Sequence, residues 1–167
     1  MMRNRTQRGG ALVEFTMAAI PVVFMTISIF EMSLESWQFH SMAYAIEVAA
    51  RFACGHGRTC TKNGNTCTIQ VKDVANIIAT QGPALDSSRL NISLITHSTT
   101  TTCNPLNTCF TNTTQFPSLT DNGLGLDITI TAQYPMRNPL PMMWFRNSSL
   151  SGNDFTLGAT TRQYIVY

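Results

Sequence analysis

From Ala11 to Phe30 the chain carries one charged residue, Glu14, in a run that otherwise reads ALV-FTMAAIPVVFMTISIF. Twenty residues rise about 30 Å as an α-helix, the thickness of a hydrocarbon core. The run is longer than the ~7–15 apolar residues of a secretory signal, and no A-x-A cleavage site follows it. It predicts a transmembrane helix, kinked where Pro21 removes a backbone donor. Residues 31–53 contain no Gly or Pro and continue the helix. Phe39, Met42, Ala43, Ile46, Ala49, Ala50 and Ala53 recur three and four residues apart, giving one apolar stripe. Glu35, Gln38, His40, Glu47 and Arg51 mostly fall off it. Gly55-His56-Gly57 stops the helix.

The pattern then shortens. Val71 to Gln81 places Val71, Val74, Ala75 and Ile78 on one helical face, and Gly82-Pro83 closes it. Leu90 to Ile95 alternates as a strand. Residues 96–123 are rich in Thr, Asn and Ser and read as a loop. Leu124 to Tyr134 alternates again, with Leu126, Ile128, Ile130 and Ala132 on one side. Asn138 to Phe145 is an apolar loop broken by prolines, and Phe155 to Tyr167 is a last strand. The expected fold class is α+β. A long N-terminal helix, transmembrane in its first half, packs on an antiparallel sheet of about three strands with one short extra helix. The expected organisation is a transmembrane helix over 10–30, a continuing helix over 31–53 and an external α+β domain over 54–167.

Charge sets the orientation. Only 12 % of residues are charged, and the net charge is +2. That balance, with no basic tract, gives no footing for nucleic acid. Arg3, Arg5 and Arg8 all precede the apolar run, and Glu31 and Glu35 closely follow it. The positive-inside rule therefore puts the N-terminus in the cytoplasm and the rest outside. All five cysteines lie between Cys54 and Cys109, in a polar region, which suits an oxidising compartment. Cys60 and Cys67 flank the Asn63-Gly64 turn signal, and Cys103 and Cys109 flank Asn104-Pro105. These loops favour Cys60–Cys67 and Cys103–Cys109 bridges, with Cys54 unpaired or intermolecular. Other pairings of the five stay open at this level.

Candidate chemistry is sparse. Cys54, His56, Cys60 and Cys67 sit close enough for zinc, but without a clean CxxC pair, and an oxidising compartment favours disulfides. Cys54 or Cys60 with His56 or His97 lacks a surrounding nucleophile motif. There is no GxxxxGK[ST], GxSxG or HExxH, and Asp121-Asn122-Gly123 lacks the spaced carboxylates of a calcium loop. The expectation is a chain without catalytic residues, metal or cofactor. Met142, Met143, Trp144 and Phe145 form an apolar patch that fits a partner surface, a core contact or the outer membrane leaflet.

Glu14 is the informative position. A carboxylate in an apolar helix costs several kcal/mol unless it is paired or reaches the interface. Arg8-Gly9-Gly10-Ala11-Leu12-Val13-Glu14-Phe15 resembles the prepilin peptidase site of type IV-like pilins, in which a basic leader ends in Gly and Glu is the fifth mature residue. The wording RGGALVEF, a Pro-containing apolar helix and then Phe30-Glu31 is similar to the start of the TadE-like minor pilins of the tight-adherence (Tad, or Flp) pilus. Leu126 to Pro135 and Phe155 to Arg162 look like that family's closing strands. The resemblance covers residues 5–31 sharply and 124–167 loosely. The Cys-rich middle and the Met, Thr and Ser content of the anchor depart from it.

The resemblance implies a leader over 1–9, cut between Gly9 and Gly10, and a non-enzymatic subunit needed for pilus biogenesis and surface attachment. Glu14, with Phe15 beside it, would set register by pairing with the new Gly10 amine of a neighbour. The implied partners are a prepilin peptidase, other pilins and minor pilins, an inner-membrane assembly platform and the lipid bilayer. The implied location is the bacterial inner membrane, single pass, with a periplasmic C-terminal domain. The competing readings are an uncleaved single-pass protein whose external domain binds a partner, and a disulfide-stapled secreted enzyme.

Overall fold

The computed structural model describes residues 7–58, 60, 67–137 and 154–166. One helix, α1, runs Gln7–Cys54 and contains Pro21. The chain divides into two compact units, residues 1–36 and 37–167. In the first, no position from 10 to 36 is buried. Leu12 is 69 % and Phe15 73 % exposed. Four hydroxyls in this stretch are satisfied by the helix itself. Thr16 donates to the Leu12 carbonyl at 2.7 Å, Thr26 to Val22 at 2.8 Å, Ser28 to Phe24 at 2.9 Å and Ser33 to Ile29 at 2.7 Å. That back-bonding lets these Thr and Ser residues sit in an apolar segment with their donors paired.

In the second unit α1 buries Met42, Ala45, Ile46, Ala49, Ala50, Ala53 and Cys54. The stripe is shifted slightly from the sequence reading: Phe39 is exposed and Ala43 half-buried, while Ala45 and Cys54 join the core. Its alanines permit close packing. A second helix, α2 (Val71–Gln81), buries Val71, Val74, Ala75 and Ile78. Asp73 in its first turn accepts the Gln70 amide at 2.9 Å. Gly82 ends it because there is no room for more: a Cβ there would lie 3.0 Å from the Ile78 carbonyl oxygen and 3.4 Å from Ala45 Cβ.

The sheet has four antiparallel strands in the order β2-β1-β3-β4: β1 Asn91–Ile95, β2 Thr100–Cys103, β3 Asp127–Arg137 and β4 Asp154–Tyr164. Ile92 and Leu94 of β1 and Ile128, Ile130, Ala132 and Tyr134 of β3 face the core. The other face is polar, as one-sided antiparallel sheets are. β2 lies inside the stretch read as loop. Its threonines suit a strand, and pairing with β1 (Ile92↔Cys103 to Ile95↔Thr100) decides the matter. A 3-10 turn, Leu106–Cys109, follows and buries Leu106 and Cys109. β3 starts later than its alternation suggests, because Gly125 takes φ +80° just before it. It also runs on through Pro135. β1 ends at Asn91, opposite Gln133, so the missing donor of Pro135 faces no strand on that side.

Candidate functional site

Two places carry the functional reading: the start of α1 and the loops around the cysteines. Gly9 and Gly10 lie in the first turn of α1, which has no acidic residue to complement its dipole. The first four amides of a helix have no partner within it, and each glycine disfavours helix by about 1 kcal/mol relative to alanine. The first turn is therefore the part of the helix that its own backbone holds least. A Cβ at Gly10 would meet nothing within 4 Å, so helix packing does not require glycine there. Glu14 and Phe15 are exposed on the helix one turn further on. Among the described residues no side chain bonds to Glu14. Arg3 and Arg5 lie outside the described residues, as does the Arg8 side chain. The patch Met142, Met143, Trp144 and Phe145 also lies outside them.

The structure closes two short loops. Cys60 is bonded to Cys67, with Cα atoms 5.4 Å apart, and Cys103 to Cys109, 5.6 Å apart. Cys54 is buried and free, and burial pushes its thiol up to about 11, so it stays protonated and unreactive. His56 serves the end of α1: its Nδ1 lies 2.7 Å from the Phe52 carbonyl oxygen, and its ring packs on the Phe52 ring at 4.3 Å. That satisfies a carbonyl which the helix terminus leaves open.

Asp121 has a structural role that its sequence context conceals. It is 2 % exposed and gathers the β1–β2 turn. Its Oδ2 accepts from the Thr96 hydroxyl, from the Ser98 amide at 3.0 Å and from the Ser98 hydroxyl at 2.7 Å. Burial alone would raise its pKa, but donors from Ser98, Thr96 and Ser118 outweigh that and hold the carboxyl at about 2. Asp121-Asn122-Gly123 is thus a latch between two loops. Only its distant partners, 22 to 25 residues away in sequence, could have shown this.

Among the described residues one helix is long and apolar enough to cross a membrane, and the two disulfides fit an oxidising, extracytoplasmic setting for the second unit. Searches of protein-family models, of curated proteins and of solved structures each found no match to the chain.

Proposed function

We propose that the chain is a TadE-like minor pilin or pseudopilin, cut by a prepilin peptidase and built into, or onto, a Tad/Flp-type pilus of the bacterial inner membrane. One observation carries the reading. Glu14 stands at the fifth position after the Gly9–Gly10 bond, exposed on an apolar helix, with no bonded partner among the described residues. Cutting that bond creates an amine at Gly10, a cation at the membrane edge. Glu14 of a neighbouring copy neutralises it, and in a low-dielectric setting such a pair fixes register as well as attracting. The exposed aromatics Trp37 and Tyr44, seven residues apart on one face of α1, continue the helix surface available to other subunits. The subunit performs no reaction; it is the peptidase's substrate.

The test is the N-terminus of the protein extracted from membranes of cells with an active prepilin peptidase. Intact mass should correspond to a chain starting at Gly10. A chain still carrying Arg3, Arg5 and Arg8 would overturn the reading in favour of an uncleaved single-pass protein. Glu14→Gln should then reduce pilus assembly at least tenfold, with the protein still present and cut.

A further inference from the structure

The outer face of the sheet carries an arrangement that assembly does not explain. Strand register places Thr102 beside Ser93, Ser93 beside Thr131, and Thr131 beside Thr160. A single row of four hydroxyls therefore crosses all four strands at ~4.8 Å steps. The Thr160 hydroxyl donates to that of Thr131 at 3.3 Å, so the row is continuous at that point. A second row holds Thr100, Ile95, Thr129 and Arg162. Sheet twist turns the strands about such a row and does not bend it.

Three features separate this face from an ordinary solvated one. Among its described side chains the charges are one matched pair: Arg162 Nε donates to Asp127 Oδ2 at 2.9 Å. Tyr164, at the end of β4, is 56 % exposed, with the Arg162 guanidinium 5.6 Å from its ring centre. Gly158 interrupts β4 opposite Gln133 on the same face, and a Cβ there would meet nothing within 4 Å. The chain's own packing does not call for that glycine, and a mid-strand glycine often marks where something else approaches closely.

We propose that this face binds an extended, ribbon-like neutral polysaccharide. Hydroxyls both donate and accept, as sugar hydroxyls do. The Arg162–Asp127 pair neutralises itself, so the described side chains of the face carry no net charge to select an ionic partner. Tyr164 offers an aromatic face to the C–H side of a sugar ring, and the gap at Gly158, beside the Gln133 amide, admits the chain. The straight hydroxyl row favours a flat ribbon over a coiled glycan.

Full-length protein in detergent micelles would be passed over microcrystalline cellulose, chitin and cross-linked dextran. Retention is expected on cellulose or chitin, undiminished in 1 M salt, and not on dextran. Thr131→Val with Thr160→Val keeps shape and strand preference while removing two hydroxyls, and should weaken retention at least tenfold. Tyr164→Ala should do the same, with thermal unfolding of both variants unchanged. Absence of retention on both cellulose and chitin would overturn the proposal. So would equal retention of the variants, retention lost in salt, or equal binding to dextran. None of these outcomes bears on where the N-terminus is cut, so this site and the pilin reading fail separately.

Discussion

Residues 10–36 and residues 37–166 treat the same kinds of side chain in opposite ways. Ile20, Val23, Ile29 and Phe30 lie open on the first stretch, whereas Ile46, Ile78, Leu94 and Ile130 are fully buried in the second. A helix that folds in water spares its apolar face by packing it, as α1 does beyond Trp37 and α2 does throughout. The first stretch buries none of its residues, and Thr16, Thr26, Ser28 and Ser33 bond back to their own helix. Its run from Ala11 to Phe30 suits an apolar solvent, whereas the domain is held by its own core.

The same truncation should therefore have very different costs in the two regions. Ile130→Ala removes a fully buried side chain from the central strand β3 and should cost about 2–5 kcal/mol. Ile78→Ala on α2 should fall in the same range. Ile20→Ala, on the exposed helix, should shift the domain's unfolding by no more than about 0.5 kcal/mol. Urea titration of the full chain in micelles, followed by tryptophan fluorescence and far-UV circular dichroism, would check all three. A large effect from Ile20→Ala would show that the helix start contributes to the domain's own stability.

The disulfides sharpen the comparison from the domain side. Each bridge closes a short loop, Cys60–Cys67 over 7 residues and Cys103–Cys109 over 6. Chain entropy makes each worth about 2 kcal/mol. Replacing Cys103 and Cys109 by Ser should lower stability by that amount, because both sulfurs are buried where β2 meets the 3-10 turn. Full reduction of the wild type breaks both bridges and should lower stability by about 4 kcal/mol. Neither change should alter the length of chain that partitions into membrane.

Asp121 gives a pH-dependent contrast of intermediate size. Its folded pKa of about 2 lies below the ordinary 3.8. The stability this provides is fully present above pH ~4 and is lost as the pH falls through about 2. Asp121→Asn should destabilise the domain by about 1–3 kcal/mol at neutral pH, since the Thr96, Ser98 and Thr99 donors lose their charged acceptor. It should also flatten the acid limb of the stability profile. Thermal melts of both proteins between pH 2 and 7 would measure this, and parallel acid limbs would remove Asp121 from the account.

What could be read in the sequence follows the range of the interactions involved. α2 was legible because Val71, Val74, Ala75 and Ile78 and the closing Gly82-Pro83 are neighbours in the chain. β1 showed through its alternation. β2 did not, since Thr100 to Cys103 has no apolar period of its own and becomes a strand only by pairing with Ile92 to Ile95. Asp121 shows no role along the sequence because its partners are Thr96 and Ser98, far back along the chain. The hydroxyl row on the outer face needs the register of four strands. The Gly9, Gly10 and Glu14 constellation is the opposite case: its meaning lies in a spacing along one helix, which folding leaves unchanged.

Glu14 also provides the smallest expected effect, and its smallness is informative. Glu14→Gln lies on an exposed turn with no bonded partner among the described residues, so the domain's unfolding free energy should change by less than about 0.5 kcal/mol. Isolated chains in micelles should be indistinguishable from wild type by urea titration. If the variant instead lost about 1 kcal/mol or more as an isolated chain, the carboxylate would be a structural group of its own helix. A deficit in pilus assembly would then report misfolding, and Glu14 would lose its place as the residue that sets register. A null result in the isolated chain, joined to a deficit in cells, assigns the carboxylate's interaction to another subunit.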